Sequence, residues 1–109
     1  MESDLKTENI ELVQLVAKRP AMFSIQNVES FFVFFKGYSI GKSDSIVIDF
    51  FDSFGNFIHK KHPEKCLRNI DSERIIRLYS ANDSHSLEYL RFLIEEFISE
   101  SDVYEIKEY

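Results

Sequence analysis

Glycine and proline are scarce in this sequence, with 3 Gly and 2 Pro among 109 residues. Because these residue types punctuate turns, their scarcity argues against a fold of many short strands and favours a few longer helices. The sequence also contains no internal repeat, low-complexity tract or Gly/Ser-rich linker. At this length, residues 1–109 are predicted to form a single helical domain around one core.

Cysteines and long apolar runs are lacking as well. Cys66 is the only cysteine, which excludes an intrachain disulfide and fits a reducing compartment. No apolar run reaches the roughly 20 residues that a membrane-spanning helix needs, and residues 1–4 lack the basic start of a signal peptide. We therefore expect a cytoplasmic protein with no membrane partner.

Basic residues are outnumbered by acidic ones. Lys and Arg total 13 against 19 Asp and Glu, which gives a formal net charge of -6. This charge repels the phosphates of nucleic acid, so direct binding of DNA or RNA is not expected. The same charge speeds encounter with a basic protein, although it also suits a protein that is merely soluble.

Apolar residues at helical spacing predict the fold class, which is all-α: a compact bundle of about five helices. The first helix is predicted over about residues 7–18, with Ile10, Val13, Val16 and Ala17 on its apolar face. Pro20 disfavours helical geometry at Arg19, so a turn is expected over residues 19–23. In this turn Pro20 stops the first helix, and Met22 and Phe23 are expected to insert into the core.

Asn27 is the predicted cap of the second helix, which contains five apolar residues and ends between Gly37 and Gly41 (Val28, Phe31, Phe32, Phe34, Phe35). The third helix is predicted to start at Ser43 or Ser45 and to run through Ile58, although residues 46–48 would also suit a strand. Residues 59–69 are read as a loop with at most one turn of helix, because they contain Pro63 and many charges.

Asp71 or Ser72 is the predicted cap of a short fourth helix, and residues 81–84 are read as a turn. The last helix has one apolar stripe and is predicted to end near Ser99 (Leu87, Leu90, Ile94, Phe97, Ile98). For residues 101–109 a short strand and an ordered coil both remain open.

One cluster could bind a metal ion. His59, His62 and Cys66 fall within eight positions, and imidazole with thiolate suits zinc. A structural zinc needs four ligands, however, and three lysines surround the cluster (Lys60, Lys61, Lys65). We therefore expect no metal ion and no cofactor, and packing of Cys66 into the core. A small enzyme or a metal-dependent regulator is the competing hypothesis, and it predicts bound zinc.

The sequence offers no assembled catalytic machinery. It has no serine flanked by glycines as in a nucleophile elbow and no glycine-rich phosphate loop. The pair Asp49 and Asp52 has the spacing of solvent-facing residues on a helix. We therefore expect a protein that is not an enzyme and has no catalytic residue.

Acidic residues and tyrosines are concentrated near the C-terminal end. Carboxylates can pair with a partner's Arg and Lys, and tyrosine offers a large rigid contact area. The competing interpretation is a solvated helix end followed by a frayed tail. If the region is a binding surface, seven residues are expected to form it (Glu95, Glu96, Glu100, Asp102, Tyr104, Glu105, Tyr109).

Two short segments carry a family resemblance: residues 19–23, Arg-Pro-Ala-Met-Phe, and residues 34–38, Phe-Phe-Lys-Gly-Tyr. They resemble a pattern in small bacterial immunity proteins encoded beside secreted toxins, in which Arg-Pro-Gly-Met-Tyr follows a first helix and Gly-Tyr ends a second. Ala21 and Phe23 depart from that pattern.

The resemblance implies an immunity protein of a contact-dependent growth inhibition or polymorphic toxin system. Its partner would be a cognate toxin domain, and the net charge of -6 favours a basic one such as a nuclease. The alternative is a small cytosolic adaptor or a homodimerising regulator, and the sequence leaves the oligomeric state open.

Overall fold

The computed structural model describes residues 2–42, 45–64 and 70–100, with side chains from Glu8 onward. These residues form five α-helices and no strand, which confirms the predicted all-α bundle. The helices are α1 (Glu2–Lys18), α2 (Val28–Ile40), α3 (Ile46–Lys61), α4 (Ser72–Leu78) and α5 (Asp83–Glu100). A 3-10 turn at Pro20–Phe23 separates α1 from α2.

Side-chain caps fix the starts of three helices. Asn27 Oδ1 accepts a hydrogen bond from the Ser30 backbone N–H at 2.7 Å, and Asp71 Oδ1 accepts one from the Arg74 N–H at 3.0 Å. Both caps confirm the prediction, because an oxygen at this position satisfies an otherwise unpaired N–H of the first turn. Asn82 Oδ1 accepts from the His85 N–H at 2.9 Å. It thereby starts α5 within the residues predicted as a turn.

Several predicted boundaries need correction. Residues 46–48 are helical, so the strand alternative is wrong, and α1 starts at Glu2 rather than near residue 7. α3 continues to Lys61, and the His62 backbone N–H bonds to the Ile58 carbonyl at 3.0 Å, which is within the one turn of helix that the prediction for residues 59–69 allows. Residues 65–69 and 101–109 lie outside the described part of the chain, as do the predictions made for them.

The turn after α1 exposes one of the two residues expected to enter the core. The side chain of Met22 is 68% exposed, so its predicted insertion is wrong. Phe23 is half-buried and packs edge-on against Phe34 of α2, with 5.6 Å between ring centroids. The 3-10 geometry places adjacent side chains on different sides of the turn, and only Phe23 lies on the core side.

Phenylalanine rings join α3 to its neighbours on two sides. Phe51 contacts three rings of α2 with centroid distances of 5.4–6.0 Å (Phe31, Phe32, Phe35). Phe97 of α5 contacts three rings of α3 at 5.3–5.6 Å (Phe50, Phe54, Phe57). Complete burial of a phenylalanine side chain stabilises a fold by roughly 1.5–3 kcal/mol, so these rings contribute much of the core energy.

One buried polar contact joins α1 to α2. Asn9 is only 2% exposed, and its Oδ1 accepts a hydrogen bond from the Tyr38 hydroxyl at 2.9 Å. The Lys42 ammonium lies 5.3 Å from the centre of the same tyrosine ring. The Tyr38 hydroxyl therefore satisfies a side-chain oxygen that is shielded from water.

α1 packs mainly against α5, the helix farthest from it along the described chain. Four apolar residues of α1 are buried, as its periodicity predicts (Ile10, Val13, Val16, Ala17). This contact joins the first and the last helix of the described chain. It also leaves the opposite side of α5 facing solvent.

Candidate functional site

The solvent-facing side of α5 is acidic, and we call it the α5 face. Its residues are Glu88, Arg91, Phe92, Glu95, Glu96, Ser99 and Glu100. The opposite side of the helix carries the buried residues Leu90, Leu93, Ile94, Phe97 and Ile98. This division follows from the amphipathic pattern, because residues three and four positions apart share one side of a helix.

Three of the seven residues predicted to bind a partner lie on the α5 face. Glu95 and Glu100 are exposed, while Glu96 is half-buried. Asp102, Tyr104, Glu105 and Tyr109 lie outside the described residues, so the structure does not report where they are.

The carboxylates of the α5 face differ in their pairing. Glu95 Oε1 lies 3.4 Å from Arg91 Nε, one turn earlier on the same helix. Glu96 Oε1 forms an ion pair with Lys61 Nζ at the end of α3. Glu88 and Glu100 make no ion pair within the described part of the chain. These two exposed carboxylates are therefore available to a basic partner, whereas Glu96 already has an internal one.

Phe92 lies in the middle of this acidic face and was not singled out from the sequence. Its side chain is 57% exposed. Glu88 lies four positions before Phe92, and Glu95 and Glu96 lie three and four positions after it. At these spacings all three glutamates are neighbours of Phe92 on the helix surface. The signal was present in the sequence, since Phe92 falls about 200° around the helix from Leu90 and cannot share its apolar stripe.

Lys61 supports the ring of Phe92. Its ammonium lies 5.8 Å from the ring centre of Phe92 and 5.8 Å from that of Phe57. The same ammonium is paired with Glu96, so it links the end of α3 to α5. A cation held above an aromatic face is favourable by about 0.5–1 kcal/mol at an exposed site. Phe92 thus lies at the surface beside a lysine that is itself paired with Glu96.

His62 lies in an aromatic cluster next to the α5 face. Its ring stacks on Tyr79 with 4.1 Å between centroids, and its Nε2 lies 2.9 Å from the Tyr89 hydroxyl. Burial raises the pKa of Tyr89 above its ordinary value of 10.0; the charge of Lys61 opposes this shift and that of Glu96 adds to it. Tyr89 therefore carries its proton at neutral pH and can hydrogen-bond to the imidazole.

The two histidines predicted as possible zinc ligands line the same surface depression. His59 lies on the last turn of α3 and shares a shallow surface depression with His62 and Lys60, while Cys66 lies outside the described residues. Among residues 2–42, 45–64 and 70–100, no three His, Cys, Asp or Glu side chains are grouped so that they could hold a metal ion.

The remaining carboxylates considered from the sequence lie on α3. Asp49 accepts a hydrogen bond from the Ser45 hydroxyl at 3.0 Å, and both Asp49 and Asp52 are exposed. This is the solvent-facing position that their spacing predicts.

Comparison of the chain with protein-family models, with curated proteins and with solved structures finds no match. In the described part of the chain, no helix combines the length and the apolar character that crossing a lipid bilayer requires.

Proposed function

We propose that this chain is an immunity protein that binds and neutralises a cognate secreted bacterial toxin domain of the nuclease type. The role comes from the resemblance of residues 19–23 and 34–38 to such proteins. The observation that carries the binding mode is Phe92, an exposed ring surrounded by carboxylates on the α5 face. Aromatic residues are enriched in the centres of protein interfaces, and charged residues belong to their rims.

The proposed contact has a central anchor and an acidic rim. Phe92 enters an apolar pocket of the toxin domain, and Glu88, Glu95 and Glu100 face Lys and Arg side chains around that pocket. A nuclease has such basic residues where it holds nucleic acid phosphates, so the same carboxylates would compete with its substrate. Because the Lys61 ammonium already lies 5.8 Å from the ring centre of Phe92, this contact reduces the side-chain entropy that is lost on association.

The first test needs the neighbouring gene product. A secreted protein encoded immediately upstream would supply a C-terminal domain for two assays: pull-down with this chain, and growth of cells that express the domain with and without this chain. Binding together with restored growth is expected. Absence of both would reject the immunity role and favour the alternative of an adaptor with another partner.

The second test concerns the surface. Phe92→Ser is expected to weaken binding about 30-fold or more, as loss of a central anchor does. Glu88→Lys and Glu95→Lys are expected mainly to slow association and to reduce its salt dependence, because they lie at the rim. Met22→Ser removes an apolar side chain that is exposed to a similar extent, 68% against 57% for Phe92, and serves as the matched control in the turn after α1.

These variants test the α5 face as the binding surface separately from the role as an immunity protein. If the toxin domain binds and Phe92→Ser behaves like Met22→Ser, the α5 face is not the interface even though the protein neutralises the toxin. Circular dichroism melting of each variant would show that exposed substitutions leave the fold intact.

A further inference from the structure

A second apolar surface lies between α2 and α3 and is formed by residues outside the α5 face. It is a groove of about 400 Å³ whose floor is formed by Phe32, Phe35 and Phe51. Ile40 and Ile48 line its walls and are 79% and 49% exposed. Large aliphatic side chains this exposed beside an apolar groove leave a contiguous apolar patch in water, and such patches mark interaction sites.

Each wall of the groove carries one isoleucine and one charge, separated by one helical turn. On α2, Lys36 lies four positions before Ile40; on α3, Asp52 lies four positions after Ile48. Both charged side chains are exposed, and neither makes an ion pair within the described residues. Each wall therefore carries one exposed isoleucine and one charge, and the two charges have opposite sign.

This pattern is complementary to itself. A contact between identical surfaces with twofold symmetry makes every interaction twice, so it requires a patch that fits its own copy. A twofold axis along the groove places the α2 wall of one copy against the α3 wall of the other. Ile40 then faces Ile48, and Lys36 faces Asp52, once on each side of the axis.

We propose that the α2–α3 groove is the contact surface between two copies of this chain. A polyanion needs positive charge along its whole path, so walls that carry one positive and one negative charge do not suit it. The proposal is independent of the toxin partner, because α5 lies outside the contact. A dimer formed in this way presents two α5 faces.

The test measures mass in solution. Sedimentation equilibrium of the full chain over the micromolar range is expected to show association to twice the monomer mass of 12.9 kDa. Ile40→Lys is expected to raise the dissociation constant about tenfold or more, since each dimer loses the side chain twice. Leu78→Lys is the matched control, because Leu78 is 62% exposed on α4 and does not line the groove. It should associate as the wild type does.

Charge exchange tests the symmetry. Lys36→Asp and Asp52→Lys should each weaken association, and the two together in one chain should restore it, because both ion pairs form again with reversed sign. All of these positions are exposed, so the monomer fold is expected to survive, and circular dichroism would verify it. A wild type that stays monomeric, an Ile40→Lys variant that associates normally, or a double variant without recovery would each overturn the proposal.

Discussion

Removing the hydroxyl of Tyr38 should destabilise the fold by about 1–2 kcal/mol. Tyr38→Phe keeps the ring and its contact with Lys42 but withdraws the donor that lies 2.9 Å from Asn9 Oδ1. Asn9 is 2% exposed, so water cannot easily replace that donor, and withdrawing a donor from a buried acceptor costs about 1–3 kcal/mol. In a domain of this size, 1 kcal/mol lowers the melting temperature by about 4–8 °C.

The assay is urea unfolding followed by far-ultraviolet circular dichroism, because the chain has no tryptophan to report by fluorescence. The free energy of unfolding should fall with urea concentration at the same slope as in the wild type, while the midpoint of unfolding moves to a lower urea concentration. Asn9→Leu supplies the second arm of a double-mutant cycle. In the Asn9→Leu background, Tyr38→Phe should hardly change the free energy of unfolding, because the acceptor of the hydrogen bond is already gone. An equal cost of Tyr38→Phe in both backgrounds would show that the hydrogen bond is not the source of the effect.

Three further predictions concern stability. Gly37→Ala should raise the free energy of unfolding by about 0.5–1 kcal/mol, because an added Cβ meets nothing within 4 Å and alanine favours the helix; a lower melting temperature would contradict this. Phe54→Ala should cost about 3–5 kcal/mol in urea unfolding, since the ring is fully buried, and half-buried Phe57→Ala should cost clearly less; equal losses would refute the burial argument. The raised pKa of Tyr89 means that the folded protein binds this proton more tightly than the unfolded chain, so its contribution to stability is present below pH 10 and is lost as pH rises further. The Tyr89→Phe variant should therefore lose less stability than the wild type when the pH is raised above 10, as measured by alkaline unfolding.

The elements of the fold could be predicted because their signals are local. The spacing of Ile10, Val13 and Val16 requires one buried side of a helix, and Asn27 is a residue type that caps the first turn. The end of α3 could not be read in the same way. His59 and the lysines after it suit a loop by composition, yet they also suit the last turn of a helix, where positive charge favours the dipole.

The candidate site depended on contacts that no local pattern reports. Lys61 and Glu96 are 35 positions apart, and only the packing of α3 against α5 brings them together. The sequence therefore identified Glu96 as an available carboxylate although it is paired. Phe92 was missed for a different reason. Charge alone indicates the glutamates, whereas Phe92 is indicated only by its position outside the buried stripe of its helix.

The packing of α1 against α5 affects how the chain is made. A ribosome completes Lys18 at the end of α1 about 65 residues before it reaches Asp83 at the start of α5. At 5–20 residues per second this interval lasts roughly 3–13 s. Until α5 has left the ribosome, Ile10, Val13 and Val16 lack the helix that they mainly pack against, so the incomplete chain exposes the apolar side of α1 to water. Chaperones that recognise exposed apolar segments can bind the chain during this interval. Folding to the native bundle has to follow translation of the last helix.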